Sequence, residues 1–142
     1  MKALVVYDST YGNTGKIAQA IGEAIAAQVL RVTEANPSDL KGFDLLIVGS
    51  PTHGGRHTPA IQDLFKASPA LKGINVAAFD TRHVSKWTIL LGYAAPRIAR
   101  SLKGNGGTLL ASPEGFFVLG TEGPLKEGEL ERAAAWARAV VG

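Results

Sequence analysis

The stretch Val5-Val6-Tyr7-Asp8-Ser9-Thr10-Tyr11-Gly12-Asn13-Thr14-Gly15-Lys16-Ile17-Ala18 decides how the rest of the chain is read. Its first three residues close an apolar run that begins at Ala3, the pattern of a buried strand over Lys2–Tyr7. Asn13 or Thr14 can then cap a helix running to about Gln28, with Ile17, Ile21 and Ile25 on one stripe. Between strand and helix lie Ser9, Thr10, Tyr11, Gly12, Asn13 and Thr14, whose small hydroxyls and amide converge on helix N–H groups without intrahelical partners. Those donors and the helix dipole make an anion site without lysine or arginine, and Gly12 lets the backbone curl around a tetrahedral group. An ATPase phosphate loop is excluded, because Thr10 stands where its first glycine belongs and Ile17 follows Lys16 in place of Ser or Thr. No G-x-G-x-x-G follows the strand, so a dinucleotide site is unsupported. A phosphorylation-receiver domain would need an aspartate where Gly49-Ser50 ends the third strand.

Outward from this stretch, strands and helices alternate. Val29–Glu34 alternates like a strand near an edge, and Asp44–Gly49 holds the buried run Leu45-Leu46-Ile47-Val48. Pro59 opens a helix through Ala60, Ile61, Leu64 and Phe65, and Ile74–Phe79 reads as the fourth strand. Pro96 belongs in the first turn of a helix that starts near Gly92 and ends before Gly104. Thr108–Ala111 and Gly115–Leu119 read as one fifth strand interrupted at Pro113. Lys126–Val141 reads as the last helix, with Leu130, Ala133, Ala134, Ala137 and Val141 inward and Trp136 at the edge of that face. Gly22 costs the first helix roughly 1 kcal/mol relative to Ala but permits close packing on a sheet. The expectation is a single α/β domain over residues 1–142, a three-layer doubly wound five-stranded parallel sheet. Its ligand loops would follow Tyr7, Gly49 and Phe79.

Composition narrows the function classes. The 142 residues are 46% hydrophobic with a net charge of +3, and there is no cysteine. That excludes a disulfide framework, a thiolate zinc site and a cysteine-held iron–sulfur cluster. No apolar run approaches a membrane span, and Ala3–Tyr7 is too short for a signal-peptide core, so a cytoplasmic domain without membrane attachment is expected. The charge is uneven: residues 1–70 carry six Lys+Arg and six Asp+Glu, whereas Thr81–Pro113 holds Arg82, Lys86, Arg97, Arg100 and Lys103 with no acid. Nucleic acid is not the expected partner, because neither basic–aromatic interleaving nor a helix-turn-helix pattern accompanies the charge.

The run Val5-Val6-Tyr7, one residue, Ser9, two residues, Gly12, one residue, Thr14, three residues, Ala18 resembles the phosphate-loop signature of the flavodoxin family. The resemblance extends along the chain and implies strand order 2-1-3-4-5 in the short-chain form, with FMN at the switch point. It implies a second flavin loop at Pro51, Thr52, His53, Gly54 and Gly55, with His53 where the family usually has an aromatic residue. It implies a third at Asp80–Trp87, including Asp80, Thr81 and Arg82, basic where the family is usually acidic and tyrosine-bearing. Backbone N–H groups near Thr81 and Arg82 are candidates for the pyrimidine oxygens, and Gly54-Gly55 for a flexible peptide near N5. His53 and His57 are not expected to hold a metal, since Pro59 and the glycines argue against a helix that would align them.

Arg56, Arg82 and Lys86, with His83, are expected beside the flavin and would ease formation of its negatively charged reduced form. One charge at ~6 Å in an effective dielectric of ~20 contributes on the order of 3 kcal/mol before screening. The resemblance therefore implies an FMN-containing electron carrier whose redox partner presents an acidic docking surface. Two alternatives stay open. One is a small flavin enzyme, an NAD(P)H:quinone reductase or a protoporphyrinogen-oxidase-like oxidoreductase. The other is a flavodoxin-like interaction domain that binds no flavin.

Overall fold

Side chains alternate across the apolar strands, so each strand feeds two cores. In the computed structural model, which describes residues 1–84 and 86–142 and all side chains of these but 86–88, Leu4, Val6, Leu46, Val48, Val76 and Ala78 face one side of the sheet. Ala3, Val5, Leu45, Ile47, Ala77 and Phe79 face the other. Both faces are covered, which is why these strands read as continuous apolar runs rather than alternating ones. Each fully buried Leu, Ile or Phe contributes roughly 1.5–3 kcal/mol.

The strands are β1 (Ala3–Tyr7), β2 (Gln28–Arg31), β3 (Leu45–Pro51), β4 (Asn75–Arg82), β5 (Thr108–Leu109) and β6 (Glu114–Phe117). The helices are α1 (Asn13–Ile25), α2 (Pro59–Ala67), α3 (Lys86–Leu91), α4 (Ala94–Gly104) and α5 (Glu129–Val141). The sheet runs β2-β1-β3-β4-β5, all parallel, with β6 also paired to β4. Ile61, Leu64, Phe65, Ile98 and Leu102 of α2 and α4 pack on one face. Ile17, Ala18, Ile21, Ala133 and Ala137 of α1 and α5 pack on the other. This is the expected three-layer doubly wound arrangement, with the strand order reversing between β1 and β3. No helix among the described residues is long and apolar enough to cross a membrane.

Several boundaries differ from the sequence reading, each for a local reason. Gly12, not Asn13 or Thr14, caps α1, in the left-handed conformation (φ 92°). The same helix ends at Ile25, where Ala26 turns left-handed (φ 54°) and Ala27 N–H donates to the Gly22 carbonyl at 2.9 Å. After β2 the chain closes a 3-10 turn over Val32–Glu34, held by Arg31 N–H donating to the Glu34 carboxylate at 3.0 Å. The fifth strand is two short strands: β5 pairs with Asn75-Val76, whereas β6 pairs further along β4 with Phe79–Arg82. Short helix α3 precedes α4, separated from it by Gly92 at φ 88°.

In α5, which begins at Glu129 rather than Lys126, Val140 is buried while Leu130 and Val141 are exposed. Trp136 packs edge-to-face on Phe79 and Phe116, centroids 6.2 and 6.1 Å away, as a structural residue.

Strand β4 runs three residues past its apolar stretch. Asp80, Thr81 and Arg82, expected in a loop, are its last three residues, in register with Ser50 and Pro51 of β3 and with Gly115–Phe117 of β6. Their polarity hides the strand, because their partners are ladder bonds and side-chain pairs rather than apolar packing.

Candidate functional site

A cleft of about 260 Å³ opens at the carboxyl ends of β1, β3 and β4, where the strand order reverses. The loop before α1 contributes Thr10, Tyr11, Asn13 and Thr14, and the loop after β3 contributes Pro51, Thr52, His53 and Gly54. Thr81 and His83 come from the end of β4, and Val118 and Thr121 from the segment after β6.

The first loop is built around Ser9. Its buried hydroxyl accepts from Gly12 N–H at 3.1 Å and Gly15 N–H at 3.3 Å, and Arg31 donates to its carbonyl at 2.7 Å. Ser9 and Gly12 therefore shape the loop and do not line the cleft. Thr14 Oγ1 lies 2.7 Å from Thr81 Oγ1, a buried hydrogen bond that ties the start of α1 to β4. Asn13 Nδ2 donates to the Glu122 carbonyl at 3.2 Å, anchoring the segment after β6. The N–H groups of Thr10, Tyr11, Asn13 and Thr14 donate to no acceptor among the described residues. Asn13 and Thr14 are nevertheless buried. Buried N–H groups ordinarily have partners, and unmatched donors at a helix N-terminus have the geometry and dipole that suit an anion.

The second loop forms a tight two-residue turn. His53 N–H donates to Arg56 O at 2.9 Å and Arg56 N–H donates back to His53 O at 3.1 Å. Gly54 and Gly55 occupy the central positions with φ 57° and 79°, a pair of positive angles that favours glycine. Both turn bonds are made, and a side chain on Gly55 would overlap the Leu91 carbonyl. The turn is thus held from below. Across the cleft mouth, Thr10 Oγ1 lies 3.0 Å from His53 Nε2, so the imidazole is fastened to the first loop. Thr52 N–H donates to the Thr81 carbonyl at 2.9 Å, and Thr52 Oγ1 accepts from Ala94 N–H at 3.1 Å.

Asp80 and Arg82 sit beneath the cleft rather than in it. Asp80 is 0% exposed and accepts from Arg82 Nε and Nη2, each at 2.8 Å, and from Ala95 N–H at 2.8 Å. Arg82 stacks over Tyr93, its guanidinium carbon 3.7 Å from the ring centroid. Burial pushes the Asp80 carboxyl above the ordinary carboxylate range, against the pull of Arg82 and Ala95 N–H. Arg56 faces away, toward a separate cavity between α2 and α4. Among the described residues no Lys or Arg lines the cleft. Arg56 and Arg82, expected beside a flavin, are therefore both placed elsewhere. Ser85 and the side chains of Lys86 and Trp87 lie outside the described residues.

The flavodoxin domain family model matches residues 4–88, more than half of the chain. This chain belongs to the flavodoxin family. It is 26% identical to a flavodoxin of the domain Archaea, with a TM-score of 0.78 over 99% of this chain and 96% of that one. It is 32% identical over 80 residues to an uncharacterized protein of Methanocaldococcus jannaschii, covering 56% of this chain and 51% of that one. It is 34% identical over 80 residues to an NAD(P)H dehydrogenase (quinone) of Gluconacetobacter diazotrophicus, covering 39% and 40%. The matches span about half or less of these curated relatives.

A flavodoxin fold implies a flavin, usually FMN, and the cleft fits one. The unmatched N–H donors of the first loop stand at one end of the cleft, and Pro51–Gly54 lines another part of it. Thr10, Tyr11, Asn13, Thr14, Pro51–Gly54 and Thr81, all expected at a flavin, line the cleft, and Val118 and Thr121, which were not, line it with them. His83, expected near the flavin within the third loop, also lines the cleft. Val118 and Thr121 carry no motif, and the tether from Asn13 to Glu122 is set by tertiary contact alone.

Proposed function

We propose that this flavodoxin-family chain binds FMN in the cleft and carries electrons to or from a redox partner. The observation that supports this reading most is the set of unmatched N–H donors at Thr10, Tyr11, Asn13 and Thr14, in a cleft without lysine or arginine among the described residues. Thr10, Asn13 and Thr14 would hold the phosphate, with the α1 dipole supplying positive potential. Pro51, Thr52, His53 and Gly54 would form a wall beside the ring, and His83 would lie near its polar edge. The flavin, when bound, supplies the one- and two-electron chemistry. The chain's residues bind and orient it: the Thr10–His53 bond joins the walls, and Thr14–Thr81 fixes the floor. Tyr11 is exposed at the rim, leaving the mouth open to a partner.

Absorption spectra and titration with FMN and riboflavin test this reading. FMN is expected to bind at least about a hundredfold more tightly than riboflavin, because the phosphate engages several charge-assisted hydrogen bonds. Thr14→Val is expected to weaken FMN roughly three- to tenfold by removing the hydroxyl that braces the loop. Equal affinity for the two flavins would overturn the phosphate-loop assignment, and binding of neither would leave an interaction domain.

A second reading, a small quinone reductase, is supported by the likeness to the NAD(P)H dehydrogenase (quinone). Rapid quinone reduction by NAD(P)H with no other protein present would favour it over a carrier.

A further inference from the structure

The basic character of residues 81–113 converges somewhere other than the cleft. On the far side of the His53–Arg56 turn, a cavity of about 670 Å³ opens between α2 and α4, larger than the cleft at about 260 Å³. Arg56, His57 and Gln62 line one side and Arg97, Arg100 and Ser101 the other. Arg97 and Arg100 are three apart on one helix face, where like charges repel. No carboxylate lines this cavity, and among the described residues none of its three arginines makes an ion pair.

The lining is also one-sided in hydrogen bonding. Each guanidinium offers only donors. Arg97 commits Nε to the Gly55 carbonyl at 2.9 Å, which leaves its terminal N–H groups free of that bond. The Gln62 Oε1 lies 2.6 Å from His57 Nε2, and with that oxygen accepting, the Gln62 amide N–H groups remain as donors. The Ser101 hydroxyl adds another. Three forked cations and neutral donors in a concave space within the roughly 300–1,000 Å³ of small-molecule sites match an oxyanion carrying more than one charge. A flat acidic protein surface would engage the exposed Arg56 and Arg100 but would not fill the cavity.

Arg97 links this cavity to the cleft. Its Nε donates to Gly55, which is buried, has φ 79° and abuts the Leu91 carbonyl. An anion engaging the rest of the guanidinium acts directly on the turn that forms the cleft wall. We propose that the cavity between α2 and α4 binds a small diphosphate-bearing anion, and that Arg97 transmits its occupancy to the Gly54–Gly55 turn. Neither part requires the cleft to bind flavin.

Calorimetric titration of the full chain with inorganic pyrophosphate tests the site. Saturable binding with one anion per chain is expected, weakened roughly tenfold or more by Arg100→Gln and by Arg56→Gln, both exposed and tolerant of substitution. Arg138→Gln on α5 removes the same charge elsewhere and should leave the affinity within about twofold. The Gly55 amide resonance should shift as pyrophosphate saturates the protein, and this shift should be lost in Arg97→Lys, which lacks the forked donor.

Unsaturable binding, or equal weakening by Arg138→Gln, would reduce the effect to net charge and overturn the proposal. Affinity unchanged by Arg100→Gln would place the anion on the Thr10–Thr14 loop instead, which also overturns it. A glutamate-rich peptide displacing pyrophosphate at lower concentration would assign the surface to an acidic protein. Tight binding with an unmoved Gly55 resonance would overturn the transmission through Arg97.

Discussion

Asp80 accepts from both Arg82 nitrogens and from Ala95 N–H and has no exposed surface, so its value to the fold lies in what it holds together. It joins the end of β4 to the start of α4 and fixes the fork of Arg82, whose side chain is only 16% exposed. Removing Asp80 leaves a largely buried guanidinium without its partner. Asp80→Ala is expected to cost about 3–5 kcal/mol in urea unfolding, whereas Asp80→Ala/Arg82→Met should cost less than the sum of the two single changes. Strict additivity would show that the pair does not act as a unit. His53 shows the same principle at the cleft mouth, where its bond to Thr10 makes an apparently loose loop histidine part of the wall.

Among the elements, α1 and β2 illustrate a local preference overruled by packing. A methyl group on Gly22 would run into Val29 Cγ2, the branched side chain of the neighbouring strand. Gly22→Ala should therefore destabilise by about 1–2 kcal/mol even though alanine is the better helix former by about 1 kcal/mol, and Val29→Ala should relieve it. Thermal melts of the single and double variants check this, and a stabilised Gly22→Ala would refute it.

Helix α5 is fastened to β6 by Glu129, which accepts from Phe117 N–H at 2.7 Å and from Arg132 at 2.9 and 2.7 Å. Arg132 holds the Glu129 carboxyl below its ordinary value of 4.5, helped by Phe117 N–H and opposed by burial. A lowered native pKa gives stabilisation that is present above 4.5 and disappears as the pH falls through the lowered value. The stability gap between wild type and Glu129→Gln should thus be full at neutral pH and close as the pH falls from 4.5 through that lowered value. Asp80 has the opposite sign: its raised pKa favours folding below 3.8, and that contribution is lost as the pH rises through the raised value.

The split fifth strand was not legible as two pairings on β4, because Pro113 reads only as an interruption. What makes β6 fit is Gly115, where a Cβ would overlap the Arg82 guanidinium. That requirement exists only after the chain has folded.

Across the whole molecule, charge is segregated between two neighbouring cavities. Neutral N–H and hydroxyl groups line the cleft, whereas three arginines line the cavity between α2 and α4. FMN affinity should therefore change by less than about threefold between about 50 and 300 mM salt, while pyrophosphate affinity should fall steeply. Titrations at several salt concentrations would show it, and a steep FMN dependence would mean that cations reach the cleft.

The residue pattern alone carried the α/β alternation, the phosphate-loop signature at Ser9–Thr14 and the loop that follows β3. These are written in local patterns: apolar runs long enough for strands buried on both faces, small hydroxyls and a glycine ahead of an amphipathic helix, and a glycine pair soon after a strand. Only the tertiary structure decided which way the charges point. Asp80 and Arg82 extend a strand and neutralise each other under the cleft, because partners on β3 and β6 complete the ladder there. Arg56, Arg97 and Arg100, 41 and three residues apart in sequence, meet because α2 and α4 cover the same face of the sheet.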